Sequence, residues 1–397
     1  MSRSATVRSV RSACRFIKRL MAFEPEGWED CRSFGRKALR QLLEERMEGQ
    51  LQKVLALELA DGVQDRRNGR YRRHLLTGMG ELELSVPRTR QFSALPVIQA
   101  YARRSPDVDR SVLACFVLGL STRKVAEALL PVLGERVSAS TVSRVSRTLD
   151  ETVAAFHRRR LVNRYRVLMF DGVVLSRKTG AGAQKRPVLV ALGILPNGRK
   201  EVIDFLLAPA ENQVSWEGFL NDLYRRGLTG EGVELITSDG GCGLLAALPL
   251  VYPRLPVQRC WAHKVRNVLD KVREADKPAI RRELRKIYRA PSSWRATHQA
   301  IRFALLWVDR YPKAVRCLMN DLEDLLSFFA FEDPEWRRKV RTTNAIERRF
   351  REVRRRTRPM GVFSDRTSME RILFAVFMHE NRNQGTARPF PLLTQNS

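Results

Sequence analysis

Apolar residues recur at helical spacing through FGRKALRQLLEERMEGQLQKVLALELA, residues 34–60, which predicts one long helix ending near Gly62. The period then changes. In LTGMGELELSV, residues 76–86, turn glycines and strict alternation predict a small β-hairpin, with arginines and Tyr71 crowded around it. Residues 121–150, STRKVAEALLPVLGERVSASTVSRVSRTLD, return to the helical period. Val125, Ala126 and Leu129 give a helix over Thr122–Leu130 one apolar face. Val142, Val145 and Leu149 do the same for a second helix opening at Ser138 or Ser140, after a turn near Gly134. The pattern is that of a helix-turn-helix, and also of an ordinary helical hairpin.

From residue 161 the texture is that of strands rich in Val, Ile and Leu: RYRVLMFDGVVLSRK, RPVLVALGILPNGRKEVIDFLLAP and VELITSDGG. SWEGFLNDLYRRGL has helical spacing and precedes the last of these; the helix GLLAALPLVY leads on to a short strand in PVQRCW. The order β-β-β-α-β-α-β is that of a ribonuclease-H-like domain, a mixed sheet flanked by helices. Residues 264–340 carry helical spacing alone and read as an all-helical insertion in that domain. It contains Trp294, Trp307 and Trp336; Trp294 and Trp307 read first as core side chains, with base stacking as the other reading. The predicted fold class is an α/β catalytic core with an all-α insertion and a mainly helical N-terminal region. The boundaries are a basic flexible tail over 1–30, a helix and basic hairpin over 31–105, a helix-turn-helix region over 106–160, the α/β domain over 161–263 and 341–385, and the insertion over 264–340.

Charge narrows the function. The formal net charge is +29, which suits a polyanionic partner, for such a chain nucleic acid, better than a small metabolite. With 44% hydrophobic residues the chain builds real cores, so global disorder is excluded. Six cysteines lie scattered with no C-x-x-C pair, so neither a disulfide framework nor a zinc ribbon is indicated. The start, MSRSATVRSVRSACRFIKRL, is basic and lacks an apolar run of seven residues; it reads as a tail rather than a signal peptide or membrane span, although an organellar transit peptide has a similar composition.

Candidate chemistry sits on both sides of the insertion. Arg70, Arg72 and Arg73 beside the hairpin suit a phosphate backbone, or simply a solvated surface. In a helix-turn-helix, Ser140, Thr141, Ser143 and Arg144 are the residues placed to meet base edges and phosphates. Asp171 sits in the buried strand VLMFDG, where an unpaired carboxylate is costly and a cation would offset the cost. Asp239 ends a strand at LITSDGG, either as a ligand at the strand's C-terminal end or as part of an Asp-Gly turn capping the next helix. The most basic passage is TTNAIERRFREVRRRTRPMG, residues 342–361. Ile346, Phe350 and Val353 form its apolar stripe, with Glu347 on the flank and Glu352 further round among arginines. Glu347 reads as a metal ligand or, with Asn344, as a variant capping box. Two aspartates and a glutamate on a sheet of this kind can hold two divalent ions for in-line phosphoryl transfer.

The passages NGRYRRHLLTGMGELELSVPRTR, GLSTRKVAEAL, VSASTVSRV, FDGVVL, LITSDGG, VQRCWAHKVRN and RTTNAIERRFREVRRRTRPMGVF run in order over about residues 35–385. Together they resemble the mutator-type transposases of bacterial insertion sequences, relatives of the eukaryotic Mutator-like elements. TTNAIER and RCWAHK are the most specific blocks. The resemblance implies a ribonuclease-H-like core with an Asp-Asp-Glu triad, matching Asp171, Asp239 and Glu347. It implies Mg²⁺, with Mn²⁺ as the alternative, as two bound ions. It implies a Cys-x-x-His element at Cys260 and His263 that supports the site together with Asn344; with no second Cys/His pair following, zinc is not indicated. Arg348, Arg351, Arg354 and Arg355 would meet the DNA strand. The partners implied are double-stranded DNA, as terminal inverted repeats and target, and a second copy of the chain, as a homodimer or larger assembly; the place of action is the bacterial cytoplasm at the nucleoid. One local departure is Gly172 after Asp171, where alanine is common. Two rival readings remain, a non-catalytic DNA-binding regulator derived from such an enzyme and a plain nuclease of the same fold.

Overall fold

A computed structural model describes residues 27–94, 103–117, 120, 122–179, 182–357 and 366–386. The basic tail lies outside these residues as far as residue 26. The chain forms two compact units, one from residues 1–116 with 121–145, the other from 117–120 with 146–397.

In the first unit, α1 (Trp28–Ala60) begins ahead of its apolar period, with Glu29 and Asp30 in the first turn, where the helix dipole favours acids. It ends where expected, with Gly62 at φ +78°. Strands β1 (Arg67–Thr77) and β2 (Gly80–Thr89) pair antiparallel. Leu82, Leu84 and Val86 are the alternate residues of β2, and they bury one face against Met47, Leu39 and Leu43 of α1. The hairpin is longer than its apolar alternation suggests, because RNGRYRR belongs to β1 itself, with a bulge between Arg67 and Arg70. Three helices follow: α2 (Pro106–Val117), α3 (Thr122–Leu133) and α4 (Ala139–Arg147). Helix α3 runs past its expected end through Pro131 and stops at Gly134, whose φ of +71° suits a C-terminal glycine. The Ser138 hydroxyl caps α4 by accepting the Thr141 N–H at 3.2 Å. Val125, Leu129, Val142 and Val145 are buried as their spacing predicts. Leu149, expected on α4, instead opens α5 (Leu149–Arg158); Thr148 between them keeps near-helical angles of −61° and −16°.

The second unit holds a five-stranded sheet in the order β5-β4-β3-β6-β7. These are β3 (Val167–Thr179), β4 (Gly182–Ile194), β5 (Lys200–Leu207), β6 (Leu235–Ser238) and β7 (Val257–Arg259). The first three are an antiparallel meander; β6 and β7 join β3 in parallel. Consecutive residues of β3 and β4 are buried alike, so both sheet faces are covered. Helices α6 (Gln213–Arg225) and α7 (Cys242–Val251) bring Trp216, Leu220, Leu244 and Leu248 onto Leu168, Phe170, Leu189 and Ala191. Helices α14 (Asn344–Thr357) and α15 (Arg366–Asn383) pack on β3 and β5, with Phe377 ring to ring against Phe205 and Phe350 at 5.4 and 5.6 Å.

Between β7 and α14 every described residue in regular structure is helical. After α8 (Trp261–Leu269) come α9 (Lys277–Tyr288), α10 (Ser293–Trp307), α11 (Pro312–Met319), α12 (Leu322–Leu326) and α13 (Pro334–Val340). The Gln258 amide and the Trp261 indole both donate to the Leu325 carbonyl, at 3.1 and 2.7 Å. Asp321 pairs with Arg259 and the buried Lys264. Trp336 is buried, stacked on Phe331 under the Arg166 guanidinium. Trp294 corrects the core reading: it is 68% exposed, because α10 buries Ala296, Ala300 and Phe303 instead. Among the described residues no helix is long and apolar enough to cross a membrane.

Side chains from the end of the described chain cover the outer edge of β5, with the Thr386 hydroxyl donating to the Lys200 carbonyl at 3.4 Å. Asn381 of α15 accepts the Val202 N–H at 2.7 Å and donates to the Val202 carbonyl at 2.9 Å, standing in for a neighbouring strand. Asn381→Ala leaves both buried groups unpaired, and we expect it to lower unfolding free energy by about 2–4 kcal/mol in denaturant titrations.

Candidate active site

Strand β6 ends at Ser238, which lies in register with Phe170 of β3. Beyond that pair β3 continues, held by β4 alone. Asp171 and Asp239 are therefore the next residues on two adjacent parallel strands, just past the end of their pairing. Asp171 is 2% exposed, and its Oδ2 is buried with no hydrogen-bond partner. Burial, and secondly the charge of Asp239, push its carboxyl well above the usual carboxylate range, against the opposing pull of His263 and a hydrogen bond from Thr343. Asp239 turns one oxygen to the Gly241 N–H at 3.0 Å, ahead of α7. Gly240 between them has φ +89°, a backbone angle that favours glycine, and the Arg259 guanidinium lies where a Cβ would stand.

Glu347 is in the first turn of α14, whose Ile346, Phe350 and Val353 are fully buried. Its Oε1 lies 3.5 Å from His263 Nε2 and 3.9 Å from Arg266 Nη2. Among the described residues it makes no hydrogen bond back to Asn344, so the capping box does not form. Glu352 pairs with Arg355 at 2.7 Å.

His263 joins the two halves of the site. The adjacent Cys260 sulfur, then the charges of Asp171 and Asp239, push the imidazole up to about 9, against the opposing effect of burial. Burial pushes the Cys260 thiol up, but the interaction with His263 outweighs it and brings the thiol below its ordinary value. The Thr343 N–H donates to Cys260 Sγ at 3.3 Å, which ties the start of α14 to the end of β7. Asn344 instead lines a separate basic cavity.

One acid went unseen in the sequence. Glu211 lies on the loop between β5 and α6, and its carboxylate occupies the space that a Cβ on Gly172 would take. Burial, then Asp239, raise its carboxyl. The only local signal is its position next to Asn212, the α6 cap.

Among the described residues no group of three or more His, Cys, Asp or Glu side chains is drawn close enough to hold a metal ion. Asp171 and Asp239 are neighbours whose charges act on His263, and Glu347 lies 3.5 Å from the same ring. The donors themselves suit a hard divalent cation: they are carboxylates, one oxygen is buried and unmatched, and the crowded negative charge is what a cation relieves.

The family model described as "Transposase, Mutator family" matches residues 19–386. The chain belongs to the Mutator family of transposases. The transposase for insertion sequence element IS905 of Lactococcus lactis is 32% identical over 361 residues, 90% of this chain and 91% of that protein. The transposase for ISRM5 of Rhizobium meliloti is 30% identical over 378 residues, 94% of this chain and 92% of that one. The transposase for IS256 in transposon Tn4001 of Staphylococcus aureus is 31% identical over 325 residues, 81% of this chain and 82% of that one.

This transposase is thus a DNA-cleaving and strand-transferring enzyme, with DNA as its partner. Its candidate DNA-binding side chains fall in two places. In the first unit Arg70 pairs with Glu48 at 2.7 Å and Arg72 with Glu83 at 3.2 Å. Arg72, Arg73, Arg103, Arg104 and Arg136 line a cavity of about 540 Å³ together with Ser138 and Thr141. Ser140 and Arg144 are exposed and Ser143 is half-buried. In the second unit Arg348, Arg351, Arg354 and Arg355 are exposed along α14.

A buried, unmatched carboxylate beside a second one is a stability cost. Asp171→Asn in metal-free buffer should raise unfolding free energy by roughly 1–3 kcal/mol. Thermal unfolding of wild type and variant in chelator checks this; a variant that melts below wild type would show that Asp171 is already satisfied.

Proposed function

We propose that this transposase cuts DNA at the ends of an insertion sequence and joins those ends to a target with Asp171, Asp239 and Glu347, on a core of ribonuclease-H-like type. The order of strands and helices supports the core assignment: an antiparallel meander, then two parallel strands reached through helices. The observation that carries the site is the unmatched Asp171 Oδ2, buried next to Asp239 at the fork between β3 and β6. Asp171, Asp239 and Glu347 would hold two divalent ions, Mg²⁺ or Mn²⁺, which supply the positive charge that clamps attacking and leaving oxygens in an in-line displacement.

The chain's own residues do the rest. His263 lies 3.5 Å from Glu347 and, when protonated, would add positive charge where negative charge develops on the phosphate. Thr343 and Cys260 hold the first turn of α14 against β7, fixing where Glu347 starts. The arginines of α14 bind the strand that brings the scissile phosphate. In the first step a water oxygen bonds to phosphorus, the bond to the 3′ oxygen breaks, and that oxygen leaves as a hydroxyl with one proton. In the second, this 3′-hydroxyl bonds to a target phosphorus and releases a target 3′-hydroxyl. One phosphodiester forms as one breaks, so no outside energy is needed. The first unit would read the terminal inverted repeats through the N-terminal half of α4, with the hairpin arginines on the backbone. Two ends must be held together, so at least two copies act in one DNA complex.

The test is strand cleavage of a labelled duplex carrying the element's end, in Mg²⁺ and in chelator. Glu347→Gln should lower the rate by about a hundredfold or more while binding persists, and Glu352→Gln should stay within about twofold of wild type. Equal cutting by both variants sinks the assignment of Glu347. Binding without any cutting by wild type favours the regulator, and equal cutting of random duplex favours a general nuclease. Separately, Arg144→Ala should weaken binding to the element's end by about 1–3 kcal/mol in titrations at fixed salt, and leave binding to random duplex nearly unchanged.

A further inference from the structure

A cavity of about 530 Å³ in the second unit is lined by Lys200, Arg338, Lys339, Arg341, Thr342, Asn344, Ala345 and Arg348. Five of these eight residues are cations and none is an acid. Lys339 is paired with Glu335 at 2.9 Å, and Arg341 donates to the Tyr288 carbonyl at 2.9 Å. Lys200, Arg338 and Arg348 have no acidic partner among the described residues. Arg349 lies close behind, buried, with its Nε lacking an acceptor. The cavity opens at the first turn of α14, a helix of fourteen residues whose N-terminal N–H groups carry positive partial charge.

Among the described residues only Lys339 of these cations has an acid in an ion pair, so most of this charge is left uncancelled. Burial, and then Arg349, Arg348 and Lys339, push the Lys200 ammonium down to about 8. Cations confined in this way either repel one another or hold an anion. The anion must be compact and able to accept from several directions at once, which describes a phosphate group with its tetrahedral oxygens.

We propose that this cavity binds a phosphate group of the DNA backbone other than the scissile one, and so fixes where the strand crosses α14. The proposal rests on the reading of Glu347 as part of the cutting site. Asn344, Ala345 and Arg348 share the first turn of α14 with Glu347, which does not line the cavity. Groups held on two faces of one helical turn lie roughly 10 Å apart. Phosphates follow the helical path of the strand, so neighbouring ones lie further apart than their roughly 3.4 Å of axial rise, and the two positions fall on near-neighbour phosphates. A strand anchored in the cavity therefore reaches the carboxylates at a close neighbour of the anchored phosphate, and the cavity sets that interval. Lys200 is on β5 while Arg338 and Arg348 flank the insertion's return to the sheet, so the anchor forms only when both parts of the unit are folded together.

The experiment compares full-length wild type, the double variant Lys200→Gln with Arg338→Gln, and the charge-keeping pair Lys200→Arg with Arg338→Lys. Binding to a labelled duplex carrying the element's end is measured across a salt series in chelator. A parallel arm follows thermal unfolding with inorganic phosphate against chloride at equal ionic strength. The neutral double variant should bind about tenfold or more weakly, with the slope of log K against log salt shallower by about two, while the charge-keeping pair stays near wild type. An unchanged slope and affinity in a folded neutral variant overturns the proposal. If phosphate stabilises wild type and not the neutral variant while the DNA slopes agree, the cavity holds a free anion and the DNA assignment is overturned. If wild type itself does not bind the duplex, the DNA reading has failed, and this proposal with it. Arg338 is exposed, so Arg338→Gln alone carries the test should the double variant not fold; its expected slope change is about one.

Discussion

Four residue pairs join β3 to β6, from Val167 with Leu235 to Phe170 with Ser238. A fork opens where this short parallel ladder runs out. Backbone pairing that would have continued to β6 is replaced by the turn at Gly240, and two carboxylates stand at the opening. Their mutual repulsion and the burial of Asp171 are costs that the surrounding sheet must carry, and it can because both its faces are packed. The elements around the fork each answer that constraint. Helix α14 is held to β7 by Thr343 and Cys260, and the charges of the aspartates raise the His263 imidazole beside them.

The rest of the second unit handles its cations by two different rules. Several structural cations have a specific acid: Asp204 takes Arg226, Asp150 takes Arg371, and Asp321 takes Arg259 and Lys264. These pairs link parts of the chain far apart in sequence and are sheltered from solvent, so salt screens them little. Along α14 and around Lys200 the balance is reversed, with arginines and a lysine outnumbering nearby acids. A net charge of +29 is thus not spread evenly over the surface. It is partly cancelled where it holds the fold and left uncancelled beside the candidate site.

What the sequence reveals, and what it hides, follows from the range of the forces involved. Periodicity is a local property, and the elements it governs were legible: the strand order from β3 to β7, the all-helical stretch after His263, and the buried stripe Ile346, Phe350 and Val353. The helices on either side of Gly134 were legible for the same reason, though the second breaks at Thr148, which no pattern announces. Asp171 and Asp239 stood out because each is an acid set in an apolar strand. Their adjacency did not, since it depends on a register between strands that lie far apart along the chain. Glu211, Lys200 and Asn381 were invisible. Each owes its part to a partner brought near only by the completed fold, and each sits in a segment whose composition is unremarkable for a loop, a strand start or a helix. Trp294 was misread because size and apolarity favour burial on average, whereas α10 had smaller residues for its inner face. The capping box at Asn344 matched in spacing alone; Glu347 finds His263 and Arg266 closer at hand.

The Asn381 clasp on β5 has a consequence for biosynthesis. A ribosome delivers β3, β4 and β5 together, and the outer edge of β5 then presents an unpaired N–H and carbonyl at Val202 until α15 has emerged. During that interval some 180 further residues must be translated, a span of roughly ten to forty seconds at the rate of bacterial synthesis. The nascent sheet is meanwhile open to pairing with another nascent chain on the same message. Chains that end before α15 would never close this edge.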